Sequence, residues 1–209
     1  KWRNDGTINR PRKSAPLIPK NLHIITGEGS AALSDMQRLI SDRWPGFGYT
    51  VVPVLVQGDK APSQIVKAIE FAQKNADLII VGRGGGSPED LWSFNLESVC
   101  QAIIDCPVPV VSAVGHESDF LVSDMIADIR ASTPSNAIER VIPVKDDLIA
   151  IIEQAHDRLD FAVTKIFVRQ NERISNLTIR LSAAPMRGIT NAKLKQSKLS
   201  SRMLSLIDK

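Results

Sequence analysis

Asp77-Leu78-Ile79-Ile80-Val81-Gly82-Arg83-Gly84-Gly85-Gly86-Ser87-Pro88-Glu89-Asp90 reads as a strand that ends in a glycine-rich corner and turns into a helix. Residues 77–81 form a short apolar run, the pattern of a strand covered on both faces. Gly84, Gly85 and Gly86 let the backbone approach a ligand closely and leave several N–H groups to hold an anion. Arg83 adds a planar five-donor fork suited to phosphate. No lysine and hydroxyl pair follows the glycines, so this is not a Walker loop. Ser87 stands where the last glycine of a dinucleotide fingerprint would be. The residues alone leave two readings, a phosphate site and a tight turn.

Outward from this corner the chain alternates. Residues 22–26, 49–54 and 108–114 are strand-like. Helical spacing fills residues 30–43 through Ala31, Leu33, Met36, Leu39 and Ile40. It also fills residues 62–75, with Pro62 suited to the first turn, and residues 96–105. Two shorter helical stretches are expected over residues 120–129 and 135–141. Apolar strands alternating with helices predict an α/β fold of the Rossmann or flavodoxin kind: an open, mostly parallel sheet with helices on both faces.

The ends differ in character. Residues 1–20, with Pro11, Pro16 and Pro19 and no periodicity, read as a linker. From about Val144, apolar residues recur at Leu148, Ile152, Ala155, Leu159, Ala162 and Ile166, the stripe of a coiled coil or a helical hairpin. The stripe loses phase near Phe167 and resumes through Ile174, Leu177, Leu181 and Ala184 before Pro185. The expected organisation is a linker over 1–20, an α/β domain over 21–143 and a basic helical coiled-coil segment over 144–209.

Charge follows the same division. The net +3 separates into +5 for residues 1–20, −7 for residues 21–143 and +5 for residues 144–209. An acidic centre between basic flanks makes a poor free-standing nucleic-acid groove, so with such a substrate the flanks or another domain would supply the attraction. Arg158, Lys165, Arg169, Arg173 and Arg180 read as a solvated helix face in preference to a DNA track. No apolar run approaches the ~20 residues that cross a bilayer, and no signal-peptide core opens the chain. Cys100 and Cys106 have neither metal-ligand spacing nor an obvious partner, so buried, inert thiols in a reducing cytoplasm are expected.

Ligands of an open parallel sheet bind beyond the carboxyl ends of its strands. Three such ends are suggestive: Thr26-Gly27-Glu28-Gly29-Ser30, opening a helix that bears Asp35; the glycine corner after Val81; and Gly115-His116-Glu117-Ser118-Asp119. His116 with Asp119 suits general acid–base work, because a carboxylate orients an imidazole and holds its charged form. Asp124 and Asp128, four apart, are read as surface carboxylates of a helix in preference to a metal site shared with Glu117 and Asp119. Ser132 or Thr133 is expected to cap a helix begun by Pro134, with its hydroxyls able to face the site. His23 and His156 are expected to be structural or exposed.

Together these motifs resemble a known family. Gly82-Arg83-Gly84-Gly85-Gly86-Ser87-Pro88-Glu89-Asp90-Leu91-Trp92-Ser93-Phe94-Asn95 is similar to the signature of the exodeoxyribonuclease VII large subunit. Residues 112–119 and 127–135 resemble its second half, Val54-Leu55-Val56-Gln57-Gly58 also matches, and the likeness covers about residues 12–143. The first loop, Gly27-Glu28-Gly29-Ser30, departs from the Ser-x-Thr-Gly type usual there, and Ser132 replaces a usual proline.

The resemblance implies hydrolysis of single-stranded DNA from both ends to oligonucleotides with 5′-phosphates. It implies catalytic roles for Asp35, Arg83, His116 and Asp119, with Gly84, Gly85, Gly86 and Ser87 binding phosphate. Family members differ in their need for magnesium, so the metal stays open. The family carries an oligonucleotide-binding domain ahead of the catalytic one and a coiled coil behind it that recruits several copies of a small subunit. By that likeness this chain would begin after the former and stop within the latter. Two other readings stand beside it: a non-catalytic phosphate- or nucleotide-binding scaffold that recruits partners through its helical tail, and a purely structural coiled-coil adaptor.

Overall fold

The computed structural model describes Trp2, residues 6–115 and residues 121–207. A 3-10 turn, Thr7–Asn9, precedes β1 (Leu22–Thr26), α1 (Ala31–Arg43), β2 (Tyr49–Pro53), α2 (Ala61–Ala72) and β3 (Leu78–Arg83). There follow α3 (Pro88–Leu91), a second 3-10 turn (Trp92–Asn95), α4 (Glu97–Asp105), β4 (Val110–Val114), α5 (Val122–Ile126), β5 (Ile129–Arg130), α6 (Pro134–Val141) and α7 (Lys145–Ile207). The chain divides into two compact units, Lys1–Leu148 and Ile149–Lys209.

In the first unit the strands pair in the order β2-β1-β3-β4-β5, every neighbour parallel. The predicted open parallel sheet is what forms, in the flavodoxin order, and its direction of growth reverses between β1 and β3. Side chains alternate across each strand. Leu78 and Ile80 of β3 therefore face Met36 and Ile40 of α1 and Ala137, Ile138 and Val141 of α6. Ile79 and Val81 face the opposite layer, with Ile65 and Ile69 of α2 and Val99, Cys100 and Ile103 of α4. Covering on both faces is why β1, β3 and β4 are mostly apolar, interrupted by His23, Thr26, Arg83 and Ser112, and each large apolar side chain so buried contributes about 1.5–3 kcal/mol.

Residues 120–129, expected as one helix, hold two elements. Phe120 lies outside the described residues, α5 ends at Ile126, and β5 follows as a fifth strand that the sequence pattern did not indicate. Two residues are too few to show a period. Asp128 sets this strand instead: it lies past the helix and accepts the Val110 N–H at 3.0 Å, which draws Ile129 and Arg130 alongside Val111 and Ser112.

The expectation of surface carboxylates here is corrected as well. Asp124 and Asp128 are only 7% and 8% exposed. Asp128 pairs with Arg10 at 3.2 Å and Lys13 at 3.4 Å and also accepts the Lys13 N–H at 3.1 Å. A buried carboxylate needs such partners to offset its desolvation. The same basic residues lay the segment read as a linker against this unit: Arg10 and Arg12 donate to the Ile126 carbonyl, and Lys13 Nζ donates to the Cys106 carbonyl at 2.6 Å.

The second unit is the body of α7. No hairpin turn divides it, and the 63-residue helix runs through Pro185, which has no N–H to offer the Leu181 carbonyl. Ile152, Leu159, Ile166, Ile174, Leu177 and Leu181 remain exposed. Among the described residues no helix is long and apolar enough to cross a membrane.

Candidate functional site

A cavity of about 290 Å³ opens at the carboxyl edge of the sheet, lined by Ala31, Ala32 and Asp35 of α1, by Gly84, Gly85 and Gly115, and by Thr133, Pro134 and Ser135. Local sequence explains each wall. Ser30 caps α1 by accepting the Leu33 N–H at 3.2 Å, which starts the helix just after β1 and brings Asp35 over the edge. Thr133, and not Ser132, caps α6 by accepting the Asn136 N–H at 3.1 Å, so the hydroxyl end of this helix lines the cavity. Gly115 turns out of β4 with φ +82°, a conformation costly for any residue with a Cβ.

Asp35 is exposed, and its ion pair is with Arg38 at 3.4 Å. An exposed pair three residues apart contributes little, so the carboxylate is open to a ligand. The cavity thus unites Asp35 with two of the glycines. Gly86 and Ser87 are not among its lining residues.

Arg83 belongs to the other face. It shares strand parity with Ile79 and Val81 and is 8% exposed. Its Nη1 donates to the Val56 carbonyl at 3.2 Å and to the Asp90 carbonyl, while Nη2 donates to Gln57 Oε1 at 2.8 Å and pairs with Asp90 Oδ2 at 3.2 Å. The guanidinium therefore clamps the loop after β2 to the loop after β3. The structure does not bring it together with Asp35, which rides on α1 across the sheet.

Gly86 is fixed by this clamp, since a Cβ there would lie 2.7 Å from Arg83 Nη2. Ser87 is occupied too. It accepts the Asp90 N–H, its own N–H donates to Asp90 Oδ2, and the pair forms a capping box for α3. The Glu89 carboxyl is held below its ordinary pKa by its own backbone amide and the Ser87 hydroxyl.

Asp90 and Gln57 were not among the sequence candidates. The Ser87-x-x-Asp90 spacing is a capping signal readable in advance, whereas nothing in the sequence marks Gln57 as an arginine partner. Beside the clamp, a more open cleft of about 580 Å³ lies between the loops after β1 and β2, lined by Gly27, Glu28, Gln57 and Gln64 among others.

His116 and Asp119 lie outside the described residues, as do Glu117 and Ser118. Among the described residues no three His, Cys, Asp or Glu side chains gather as a ligand set. Asp35 is the carboxylate lining the cavity, and Asp124 and Asp128 are engaged by protein groups, so the described residues do not by themselves form a magnesium cage. No step below is routed through a metal.

His23 is buried, with no partner for Nδ1 among the described residues. Burial pushes its pKa below the ordinary value, opposed by Asp77. Cys100 and Cys106 are buried free thiols, and burial raises both, Cys100 to about 12.

Comparison with known proteins bears on the whole arrangement. A family model described as "Exonuclease VII, large subunit" matches residues 9–209. A protein of Haemophilus influenzae strain KW20 named "Exodeoxyribonuclease 7 large subunit" is 42% identical over 172 residues, covering 81% of this chain and 39% of the relative. Proteins of the same name from Alkaliphilus oremlandii and Desulfitobacterium hafniense are 47% and 38% identical, over 71% and 92% of this chain. The chain spans 37% and 48% of the length of those two relatives. With its glycine corner, parallel sheet and matched span, the chain belongs to the exonuclease VII large-subunit family.

Proposed function

We propose that residues 21–143 form the catalytic part of an exodeoxyribonuclease that hydrolyses single-stranded DNA from both ends to oligonucleotides with 5′-phosphates. The observation that carries this reading is the cavity in which Asp35 faces Gly84, Gly85 and the Thr133–Ser135 hydroxyl edge, directly beside Gly115. A phosphodiester bound there meets backbone N–H groups suited to the charge that builds on its oxygens.

In the proposed reaction His116, which follows Gly115 in the chain, takes a proton from the attacking water. The new bond forms from water oxygen to phosphorus, the bond from phosphorus to O3′ breaks, and the leaving O3′ takes its proton from solvent while the imidazolium later returns its own to solvent. Asp119 orients the imidazole, Asp35 positions the water, and the glycine amides assist at the phosphoryl oxygens. The resemblance gives Arg83 a role at the same phosphate; from the opposite face that role requires the guanidinium to leave Asp90 and turn past the glycines, a phosphate oxygen taking the place of the carboxylate.

The exposed apolar residues of α7 are the proposed seat of several small-subunit copies, in a coiled-coil arrangement. The free buried thiols fit a cytoplasmic location.

The test uses the intact subunit with its small partner on end-labelled single-stranded and duplex oligonucleotides, with and without EDTA. Single-strand cleavage that His116→Ala abolishes supports the reading, and the EDTA lanes decide the metal. Saturable mononucleotide binding without turnover would put a phosphate-binding scaffold in its place.

A further inference from the structure

We infer that the cleft of about 580 Å³ between the loops after β1 and β2 is a nucleobase subsite. It seats an unpaired base of the strand whose backbone enters the smaller cavity, an inference that rests on the reading above. The two sites flank one short loop. Gly27 and Glu28 line the cleft, while Ala31 and Ala32, at the start of α1, line the cavity. A strand laid across this loop meets both.

The protein braces the cleft by itself. The Val54 N–H donates to the Thr26 carbonyl at 3.0 Å, the Leu55 N–H donates to Gln64 Oε1 at 2.8 Å, and the Val56 carbonyl accepts from Arg83 Nη1 at 3.2 Å. Gln57 Oε1 in turn accepts from Arg83 Nη2 at 2.8 Å. An N–H donor can meet only the oxygen of a side-chain amide, so these bonds fix which way both glutamines are turned. Each glutamine lines the cleft and keeps an NH2 group that has no acceptor among the described residues.

The walls decide what those donors hold. Pro53, Val54, Leu55 and Val56 supply apolar surface, and Glu28 is the one charged residue among those that line the cleft. A phosphate there would face a carboxylate of its own sign with no lining cation. A nucleobase has apolar faces, acceptor atoms along its edge and no charge, so it answers all three features. Every base carries such an acceptor, and the contact therefore tolerates any sequence. In a duplex the faces are stacked and the edges paired, so an unpaired strand is what delivers a base to the cleft. The plain alternative is that the glutamines only brace their loops, which occupies their oxygens and asks nothing of the NH2 groups.

The test measures binding by competition anisotropy in the intact subunit assembled with its small partner. The probes are a short thymidine oligonucleotide and an abasic strand of equal length and charge, both with phosphorothioate linkages that resist cleavage. Gln57→Glu and Gln64→Glu keep the accepting oxygen and remove the donor. Leu55→Ser removes apolar wall at an exposed position, so it carries the test if a glutamine variant fails to fold. Both strands bear the same phosphates, so an added carboxylate weakens them alike and the ratio of their affinities reports the base. Wild type is expected to favour the thymidine strand roughly tenfold or more, and each variant to lower that ratio about three- to fivefold, the worth of one hydrogen bond. A wild-type ratio near one overturns the inference. So does a wild-type ratio retained in the variants, which would mean that the glutamines only brace loops or that a phosphate occupies the cleft. The expected binding pattern without cleavage of ordinary single-stranded DNA by the wild type overturns the reading of the site instead.

Discussion

Arg83 Nη2 sits 3.2 Å from Asp90 Oδ2, so the arginine at the end of β3 is held by a carboxylate that lies past the glycines following it. The contact closes the corner on itself, and the third glycine has to fit inside the closure. Gly86→Ala should therefore destabilise the unit by about 1–3 kcal/mol, because the new methyl displaces a guanidinium that has other bonds to lose. Asp90→Asn, which keeps the cap but removes the competing charge, should lower KM for single-stranded DNA. Chemical denaturation reads the first effect and steady-state kinetics the second; a KM that rises in Asp90→Asn would show that phosphate does not take Asp90's place.

Asp35 should separate activity from stability. It is exposed, and its pair with Arg38 is of the weak surface kind. Asp35→Asn is expected to keep the melting curve within about 0.5 kcal/mol of wild type while cutting kcat by roughly a hundredfold or more. Parallel melts and single-strand cleavage assays check both halves, and an unchanged kcat would remove Asp35 from the site.

Acid should weaken the fold through His23. Burial holds its folded pKa below the ordinary value, so between that folded value and about pH 6.5 the unfolded chain binds more protons than the native one. This contribution is complete above about pH 6.5 and is lost as pH falls through that window, with a slope of at most about 1.4 kcal/mol per pH unit. Denaturation curves for wild type and His23→Leu at pH 7.5 and pH 5.5 isolate the effect, and the variant should lose less stability over this range.

The thiols should be silent in the native protein. Cys100, raised to about 12, and Cys106, also raised by burial, are expected to resist an aromatic disulfide reagent at pH 8 and to react only on unfolding. Fast labelling of the folded chain at either position would show that the α4 layer opens readily.

Most of the sheet was legible in the sequence for one physical reason. Strands covered on both faces are apolar at most positions, and residues 22–26 and 77–81 announce themselves. Three strand-end loops could then be assigned to one edge, and Asp35, Gly84 and Gly85 do share a cavity there. What escaped is what depends on long-range polar contacts. β5 exists because a buried Asp128 holds Val110, and a carboxylate in sequence carries no mark of burial. Nor does an arginine after a strand reveal which face it takes, or that Gln57 and Asp90 occupy its donors.

Strand parity also limits how this chain can change. Arg83 is directed away from α1 because it stands an even number of residues from Ile79 and Val81, and Gly82 and the glycines beyond it carry no side chain that could take over either role. One residue inserted or deleted between Val81 and Arg83 would send the guanidinium into the layer that holds Met36 and Ile40 and leave Val56, Gln57 and Asp90 without their donor. This strand can tolerate changes of residue far better than changes of count.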